Sequence, residues 1–210
     1  MTDTLFELIE KMPLVAILRG IRPEEAIPVA EALVEAGFTF MEVTLNSLDW
    51  AKSIQLMKDR FGSDIALGAG TVLEPNEVDL VQAAGGRVII SPNMRPDVIR
   101  RTKELGMISV PGCYTPTECF DALSAGADIL KIFPADTLGP AFIKAIRAVL
   151  PTEARICPTG GVTAANMDQF LDAGVSAMGM GSALYKPGKS AEDVGQAARE
   201  FVATYQRLVS

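Results

Sequence analysis

Residues 125–134, with the sequence AGADILKIFP, contain an Ala–Gly step followed by an apolar run that a single lysine interrupts. A residue–Gly step followed by an apolar run recurs along the chain. The step is Ala–Gly in AGFTFMEVTL (36–45), AGGRVIISP (84–92) and AGVSAMGMG (173–181), and Leu–Gly in LGMISVPG (105–112). Glycine is favoured where a helix ends in a residue of positive φ. Each step therefore predicts the end of a helix and the start of a buried strand.

The stretches between these steps are amphipathic and predict helices, as in PEEAIPVAEALVEA (23–36) and TPTECFDALSA (115–125). The apolar runs predict eight strands, at Leu14–Arg19, Phe38–Thr44, Ile65–Gly70, Val88–Ser91, Ile108–Pro111, Asp128–Pro134, Arg155–Pro158 and Val175–Met180. Strands that are joined through helices by short loops pair in parallel. Eight such units predict a (β/α)8 TIM barrel that forms a single domain over residues 1–210.

The main alternative fold is an open doubly wound sheet. That fold uses about five or six strands and a glycine-rich first turn. The turn after the first predicted strand, LRGIRPEE (18–25), lacks the required glycine spacing. The barrel is therefore favoured, and barrels of this kind place their chemistry at the C-terminal ends of the strands.

The composition excludes several classes of function. The chain has no histidine, which excludes His-dependent catalytic triads and His-ligated metal centres. It has 19 basic against 26 acidic residues, a formal charge of −7, which argues against a nucleic-acid partner. Three cysteines without a CxxC pair favour a reducing, cytoplasmic location over a disulfide framework or a zinc site. A membrane span would need an uninterrupted stretch of about 18 apolar residues, and the sequence contains none.

Lys131 lies within an apolar strand, between Leu130 and Ile132. A charged lysine there cannot easily reach water, and burying an unpaired charge is unfavourable by several kcal/mol. Burial therefore favours the neutral amine, which is the nucleophile that forms a Schiff base with a ketone. The alternative is a structural lysine that reaches the end of the strand or pairs with a carboxylate.

Glu42 is the second catalytic candidate. Strand alternation predicts that it shares a face with Phe38, Phe40 and Thr44. An inward carboxylate needs a partner in a filled barrel, so we expect a direct pair with Lys131. A carboxyl group in a desolvated site beside a cation acquires a pKa suited to acid–base catalysis near neutrality. The alternative is a buried ion pair that only supports the barrel.

Two glycine-containing loops follow the predicted strands seven and eight, Gly160–Gly161 and GMGSAL (179–184). Loops at these positions form the phosphate site in many barrel enzymes, because glycine lets backbone N–H groups approach the anion. Ser182 adds a hydroxyl group. Isolated glycines also serve ordinary turns, so only the placement after two successive strands favours a phosphate site.

Two further polar side chains stand at predicted strand ends. Arg19 ends the first strand and suits the recognition of a carboxylate or a phosphate, although an ordinary surface arginine fits its position equally well. Thr71 ends GAGT (68–71), where the small residues leave room for a substrate to which Thr71 donates a hydrogen bond.

Six segments occur in an order that resembles one enzyme family: FTFMEVTL, GAGTVL, ISPN, VPGCYTPTE, LKIFPA and CPTGGVT. In this order they resemble the 2-keto-3-deoxy-6-phosphogluconate and -phosphogalactonate (KDPG/KDPGal) aldolases, from about Leu14 to Tyr185. The resemblance implies a class I aldolase on a (β/α)8 barrel that forms a homotrimer and needs no metal or other cofactor. It further implies cleavage of a phosphorylated 2-keto-3-deoxy sugar acid to pyruvate and D-glyceraldehyde 3-phosphate.

The resemblance also assigns roles to single residues. Lys131 corresponds to the Schiff-base lysine, and Glu42 to the general acid–base residue. The candidate substrate-binding residues are Arg19, Asn46, Thr71, Pro92, Phe133 and Thr159. The candidate phosphate-binding residues are Gly160, Gly161, Gly181 and Ser182.

The two branches of this family differ at a few positions, and this sequence is mixed. Asn46 stands where the phosphogluconate branch usually has an arginine, and Trp50 with ILRG (17–20) is similar to the phosphogalactonate branch. Arg19 would then replace the missing guanidinium. Thr159 instead resembles the phosphogluconate branch. We therefore favour the phosphogalactonate substrate and expect activity on both epimers.

Two other functions remain open from the residues alone. A phosphosugar isomerase or epimerase would use Lys131 only to stabilise charge. A non-catalytic barrel that binds a phosphorylated metabolite would show phosphate affinity without turnover. An isomerase forms no imine, so borohydride trapping separates it from an aldolase.

Overall fold

The structure, a computed structural model, describes residues 2–210, with side chains from residue 4 onward. The strands are β1 Leu14–Leu18, β2 Phe40–Thr44, β3 Ala66–Gly70, β4 Val88–Ile90, β5 Ile108–Val110, β6 Gly112–Cys113, β7 Ile129–Ile132, β8 Arg155–Pro158 and β9 Met178–Met180. The helices are α1 Thr2–Lys11, α2 Pro23–Ala36, α3 Trp50–Phe61, α4 Pro75–Ala83, α5 Pro96–Glu104, α6 Pro116–Ala125, α7 Ala135–Arg147, α8 Met167–Asp172 and α9 Ala191–Val209.

The strands form an α/β fold of parallel sheets. One sheet has six strands in the order β5-β4-β3-β2-β1-β9, and the other has three in the order β6-β7-β8. At one junction between the sheets, a parallel bridge joins Thr159 to Gly179. At the other junction, the Asp128 N–H, which lies just before β7, donates to the Ser109 carbonyl of β5 at 3.0 Å. Because all pairs are parallel, the C-terminal ends of the strands lie on one side of the fold.

All eight predicted strands are confirmed, and no predicted end differs from the observed one by more than three residues. The structure adds one short strand, β6, which Pro111 alone separates from the end of β5 at Val110. Proline has no backbone N–H to donate to a neighbouring strand, so the ladder is interrupted at this residue. The next N–H, that of Gly112, donates to the Asn93 carbonyl at 3.2 Å.

The buried apolar side chains form two layers. A larger layer lies between the strands and the helices, and a smaller one lies inside the curled sheets, where Val15, Phe40 and Ile129 meet Leu5 and Ile9 of α1. The prediction that Phe38 shares the inner face with Glu42 is wrong: Phe38 precedes β2 and is buried in the larger, outer layer. The chain adopts the alternating strand geometry only from Phe40 onward.

The predicted helix ends are confirmed by their glycines. Gly37 and Gly126 adopt φ values of 108° and 102°, and each donates its N–H to carbonyls of the preceding helical turn. At the start of α6, the Thr115 N–H donates to Glu118 Oε2 at 2.7 Å, and Thr115 Oγ1 accepts from the Glu118 N–H. Such reciprocal caps hold the helix in place after its strand. In residues 2–210, no helix combines the length and the apolar character that crossing a bilayer requires.

Candidate active site

A small internal cavity lies among the inward-facing side chains of the strands, and we call it the inner cavity. Its polar lining residues are Glu42 from β2, Lys131 from β7 and Cys157 from β8, together with Thr159 just beyond β8. The remaining lining is mostly apolar and includes Ile17. Its volume of about 10 Å³ corresponds to about one water molecule. The two catalytic candidates therefore share one small cavity.

Glu42 is only 1% exposed, and its Oε2 atom has no hydrogen-bond partner among the described residues. Burial removes the carboxylate from water and raises its pKa, although the charges of Lys131 and Arg19 act in the opposite direction. Gly70 of β3 makes room for this group, since a Cβ atom there would lie 2.5 Å from Glu42 Oε1. The raised pKa moves Glu42 toward the range in which a carboxyl group exchanges protons at neutral pH.

Lys131 is 5% exposed in the middle of β7. Its Nζ lies 5.1 Å from the centre of the Phe133 ring, so this predicted substrate-binding residue adjoins the amine. Cys157 is the Cα partner of Lys131 on the neighbouring strand β8. Burial raises the pKa of the Cys157 thiol to about 12, which leaves it as a neutral neighbour of the amine.

The pair expected between Glu42 and Lys131 is not a direct ion pair, although the charge of Lys131 lowers the pKa of Glu42. None of the salt bridges between described residues joins the two side chains. Both side chains line the inner cavity instead, Glu42 from β2 of the six-stranded sheet and Lys131 from β7 of the three-stranded sheet. The amine and the carboxyl group therefore face the same small space without a direct ion pair.

A larger and more open cavity adjoins the inner one, and we call it the outer cavity. Its volume is about 390 Å³, and Ile17 lines both cavities. Four of the predicted site residues line it, namely Arg19, Asn46, Gly181 and Ser182. Because these residues follow β1, β2 and β9, the outer cavity lies at the C-terminal ends of the strands, as predicted.

Arg19 is held by two neighbouring loops. Its Nη1 donates to Asn46 Oδ1 at 3.0 Å and to Thr71 Oγ1 at 3.4 Å. Thr71 has a φ of 62°, an unusual conformation for a β-branched residue and one that is found at functional sites. These hydrogen bonds bring together three predicted binding residues, Arg19, Asn46 and Thr71. Asn46 and Thr71 lie 27 and 52 positions from Arg19 in the chain.

Other predicted residues lie elsewhere around the site. Gly160 and Gly161 have positive φ values of 94° and 75° and lie against the start of α7, and they line neither cavity. Asn166 stabilises the loop that contains these two glycines, because its Nδ2 donates to the Gly161 carbonyl at 2.9 Å. Pro92 follows β4 and contacts Gly112, which is the Cα partner of Lys131.

Sequence analysis missed three residues that line the outer cavity: Tyr185, Lys186 and Pro187. Burial raises the pKa of the Tyr185 hydroxyl to about 12, and the nearby Glu25 carboxylate acts in the same direction. These residues directly continue the GMGSAL run, so their nearness to a predicted phosphate loop was the available signal. Lys186 adds a second cation beside Arg19 in this cavity.

In residues 2–210, no group of three His, Cys, Asp or Glu side chains is arranged to hold an ion. The polar side chains of the two cavities carry two amines, one guanidinium group, one amide, one thiol, hydroxyls and one carboxyl group, a set that suits an organic anion.

A buried lysine and a separate buried carboxyl group beneath a cation-lined cavity are the arrangement expected of a Schiff-base aldolase. The family model for KDPG and KHG aldolases matches residues 5–199. The chain belongs to this family of aldolases.

Three relatives are similar to this chain over nearly its whole length. The chain is 47% identical to the 2-dehydro-3-deoxy-6-phosphogalactonate aldolase of Escherichia coli K12, covering 95% of this chain and 97% of that protein. The native KDPGal structure superimposes with a TM-score of 0.93 at 47% identity, covering 95% and 97% of the two chains. The KDPG aldolase of Legionella pneumophila, with pyruvate captured as a covalent carbinolamine, has a TM-score of 0.82 at 28% identity and covers 96% of both chains.

Proposed function

We propose that this chain is a class I aldolase that cleaves 2-dehydro-3-deoxy-6-phosphogalactonate to pyruvate and D-glyceraldehyde 3-phosphate. The observation that carries the proposal is the inner cavity, which Lys131 and Glu42 both line without a direct ion pair between them. The E. coli relative, at 47% identity, is named for this reaction. The carbinolamine captured in the Legionella pneumophila relative supports covalent chemistry on pyruvate.

The reaction begins at Lys131. Its amine attacks the C2 ketone of the substrate to give a carbinolamine, which takes up a proton and loses water to give an iminium ion. The hydrolysis that ends the cycle releases that proton again. Phe133 lies beside the amine and limits the directions from which a ketone can approach.

Bond cleavage and proton transfer fall to Glu42. The carboxylate takes the proton of the C4 hydroxyl, the C3–C4 bonding electrons move into the iminium ion, and C4 leaves as the aldehyde of glyceraldehyde 3-phosphate. Glu42 then returns the proton to C3 of the resulting enamine. Hydrolysis of the new iminium ion consumes water and releases pyruvate and Lys131. A carboxyl group with a raised pKa suits both transfers.

The outer cavity holds the anionic ends of the substrate in this proposal. Arg19, with Asn46 and Thr71, binds one anionic end, and Gly181 with Ser182 contributes to the phosphate site. Gly160 and Gly161 complete the phosphate site from the neighbouring loop. Pro92 and Thr159 complete the substrate-binding set, with Thr159 facing the inner cavity.

The test of the reaction is borohydride reduction in the presence of pyruvate. We expect a single adduct on Lys131 by mass spectrometry of the intact protein and its peptides, and none in Lys131→Met. Lys52→Met, which changes an exposed lysine of α3, should retain the adduct. The absence of an adduct on wild-type Lys131 would overturn the Schiff-base mechanism and favour an isomerase or a binding protein.

The preference between the two epimers depends on the groups near C4. Asn46 resembles the phosphogalactonate branch, whereas Thr159 resembles the phosphogluconate branch and lies in the inner cavity. We expect turnover of both phosphorylated keto acids, with the larger kcat/KM for phosphogalactonate. A strong preference for phosphogluconate that is lost in Thr159→Val would reverse the assignment.

We further propose that the strands close into one (β/α)8 barrel domain over residues 1–210 and that the barrel assembles as a homotrimer in the cytoplasm. The hydrogen bonds at the two sheet junctions support closure, since they link the end of β8 to β9 and β5 to the residue before β7. The free cysteines Cys113, Cys119 and Cys157 suit a reducing compartment. Light scattering should give three times the mass of the chain, and a monomer or dimer would contradict the assembly.

A further inference from the structure

Ser47, which follows β2, has its hydroxyl group in contact with two neighbouring segments. Its Oγ accepts a hydrogen bond from the Gly20 N–H at 2.8 Å. The same Oγ lies 3.1 Å from Thr44 Oγ1, and the Ser47 N–H donates to the Thr44 carbonyl at 2.9 Å. Ser47 is 6% exposed, so these bonds are shielded from competing water. The loop after β1 is therefore attached to the loop after β2 through one side chain.

The other side of Gly20 is equally restricted. Gly20 has a φ of 80°, and a Cβ atom there would lie 2.7 Å from Pro187 Cγ, which belongs to the loop after β9. The peptide that follows Arg19 is thus held between Ser47 on one side and Pro187 on the other. A rigid backbone at this point determines where the Arg19 side chain starts.

The guanidinium group at the far end of Arg19 contacts the loop after β2 again and also the loop after β3. It donates to Asn46, the residue immediately before Ser47, and to Thr71. Arg19 and Asn46 are both exposed in the outer cavity, where water competes for their hydrogen bonds. Such exposed bonds hold a flexible side chain weakly unless the backbone on both sides is fixed.

We propose that Ser47 is a positioning residue that acts through Arg19. Its hydroxyl group fixes the Gly20 backbone so that the guanidinium group stays directed at the anionic end of the substrate. This inference deepens the proposed function and rests on it, because it requires that Arg19 binds an anionic group of the keto acid. Ser47 itself lines neither cavity and does not touch the substrate.

The test compares Ser47→Ala with Ser53→Ala. Ser53 is also buried, but its Oγ has no hydrogen-bond partner among the described residues, so this variant removes a hydroxyl without removing such a contact. We expect Ser47→Ala to raise KM by about fivefold to twentyfold with kcat within about twofold. Ser53→Ala should leave both constants unchanged, and Ser47→Thr, which keeps the hydroxyl, should restore most of the affinity.

A double-mutant cycle with Arg19→Ala identifies the route of the effect. If Ser47 acts through Arg19, Ser47→Ala should change KM little in the Arg19→Ala background. The pyruvate concentration for half-maximal borohydride trapping distinguishes the two anions. It rises in Ser47→Ala if Arg19 holds the carboxylate, which pyruvate also carries, and stays constant if Arg19 holds the phosphate.

The outcomes separate the two proposals. An active wild type whose KM is unchanged in Ser47→Ala, or an equal effect in both Arg19 backgrounds, would overturn the role of Ser47 alone. A wild type that forms no adduct with pyruvate and turns over neither epimer would overturn the proposed function and this role together. A fall in kcat and melting temperature without a change in KM would show a purely structural serine.

Discussion

The inner and outer cavities adjoin each other at Ile17, yet their polar groups differ in burial and in hydrogen bonding. In the inner cavity, Lys131 and Glu42 are almost fully buried, and Glu42 Oε2 has no hydrogen-bond partner among the described residues. In the outer cavity, Arg19 and Asn46 are exposed and hydrogen-bonded to each other. The unpartnered carboxyl group of Glu42 is suited to proton exchange, whereas the outer groups are arranged to bind.

This difference follows from the cost of removing a charge from water. A buried carboxylate without a partner is destabilised, which raises the pKa of Glu42 and makes proton exchange favourable. An exposed guanidinium group keeps its charge and gains its specificity from geometry. We therefore expect inner-cavity changes to act on kcat and outer-cavity changes to act on KM.

The largest expected effect is that of Lys131→Met. Removal of the amine eliminates covalent catalysis, so we expect kcat to fall by on the order of 10⁴-fold or more, as for other covalent nucleophiles. Lys186→Met removes the lysine of the outer cavity and should act mainly on KM. Steady-state kinetics with both epimers tests the pair. A Lys131→Met enzyme with substantial kcat would contradict the expectation that inner-cavity changes act on kcat and outer-cavity changes act on KM.

Glu42→Gln should have the next largest effect. Glutamine fills the same space but cannot exchange a proton, so we expect kcat to fall by about 10²- to 10⁴-fold. The variant should still form the Schiff base with pyruvate, because Lys131 is intact. Borohydride trapping beside steady-state kinetics measures the two steps separately. Equal loss of trapping and turnover would mean that Glu42 serves imine formation instead.

A pair of glycine variants compares the space in the two cavities. Gly70→Ala places a Cβ atom 2.5 Å from Glu42 Oε1, whereas Gly181→Ala meets no atom within 4 Å. We expect Gly70→Ala to lower kcat by roughly 10- to 100-fold, because the carboxyl group must move by about 1 Å. Gly181→Ala should raise KM by only a few fold. Similar kcat values in the two variants would contradict the crowding of the inner cavity.

The smallest expected effect concerns stability and pH. Because the pKa of Glu42 is higher in the folded than in the unfolded chain, the unfolded state loses its proton first as the pH rises above about 4.5. Wild-type stability therefore falls from that pH up to the raised folded pKa, and Glu42→Gln removes this loss. The melting temperature of Glu42→Gln should rise relative to wild type across that window, by about 2–4 °C per kcal/mol.

Exposed Glu200→Gln is the matched control for this measurement. A difference in melting temperature between Glu42→Gln and wild type that does not change with pH would contradict a raised pKa at Glu42.

The parts of the fold that local chemistry dictates could be predicted from the sequence. The Ala–Gly steps marked the helix ends, as Gly37 and Gly126 confirm with their positive φ values. The apolar runs marked the strands, and a lysine inside one of them marked Lys131. Local signals failed at Phe38, whose apolar side chain fits either face until the start of the strand is known.

The contacts between distant segments could not be predicted in the same way. Ser47 had no distinctive pattern around it, since its role depends on Gly20 and Thr44 meeting it in space. Lys186 enters the outer cavity only because the loop after β9 lies beside the loop after β1. Sequence patterns report neighbours along a strand or helix, and these contacts join different strands.

The sequence by itself determined an α/β fold of parallel strands, the family of aldolases, and a lysine with a carboxylate as its chemical groups. These follow from periodicity, glycine conformation and the cost of placing Lys131 among apolar residues. Only the tertiary structure decided that Glu42 and Lys131 share a cavity without pairing, because β2 and β7 lie in different sheets. The distance between two charged groups depends on how the sheets meet, and that packing creates both the unsatisfied carboxyl group and the space beside it.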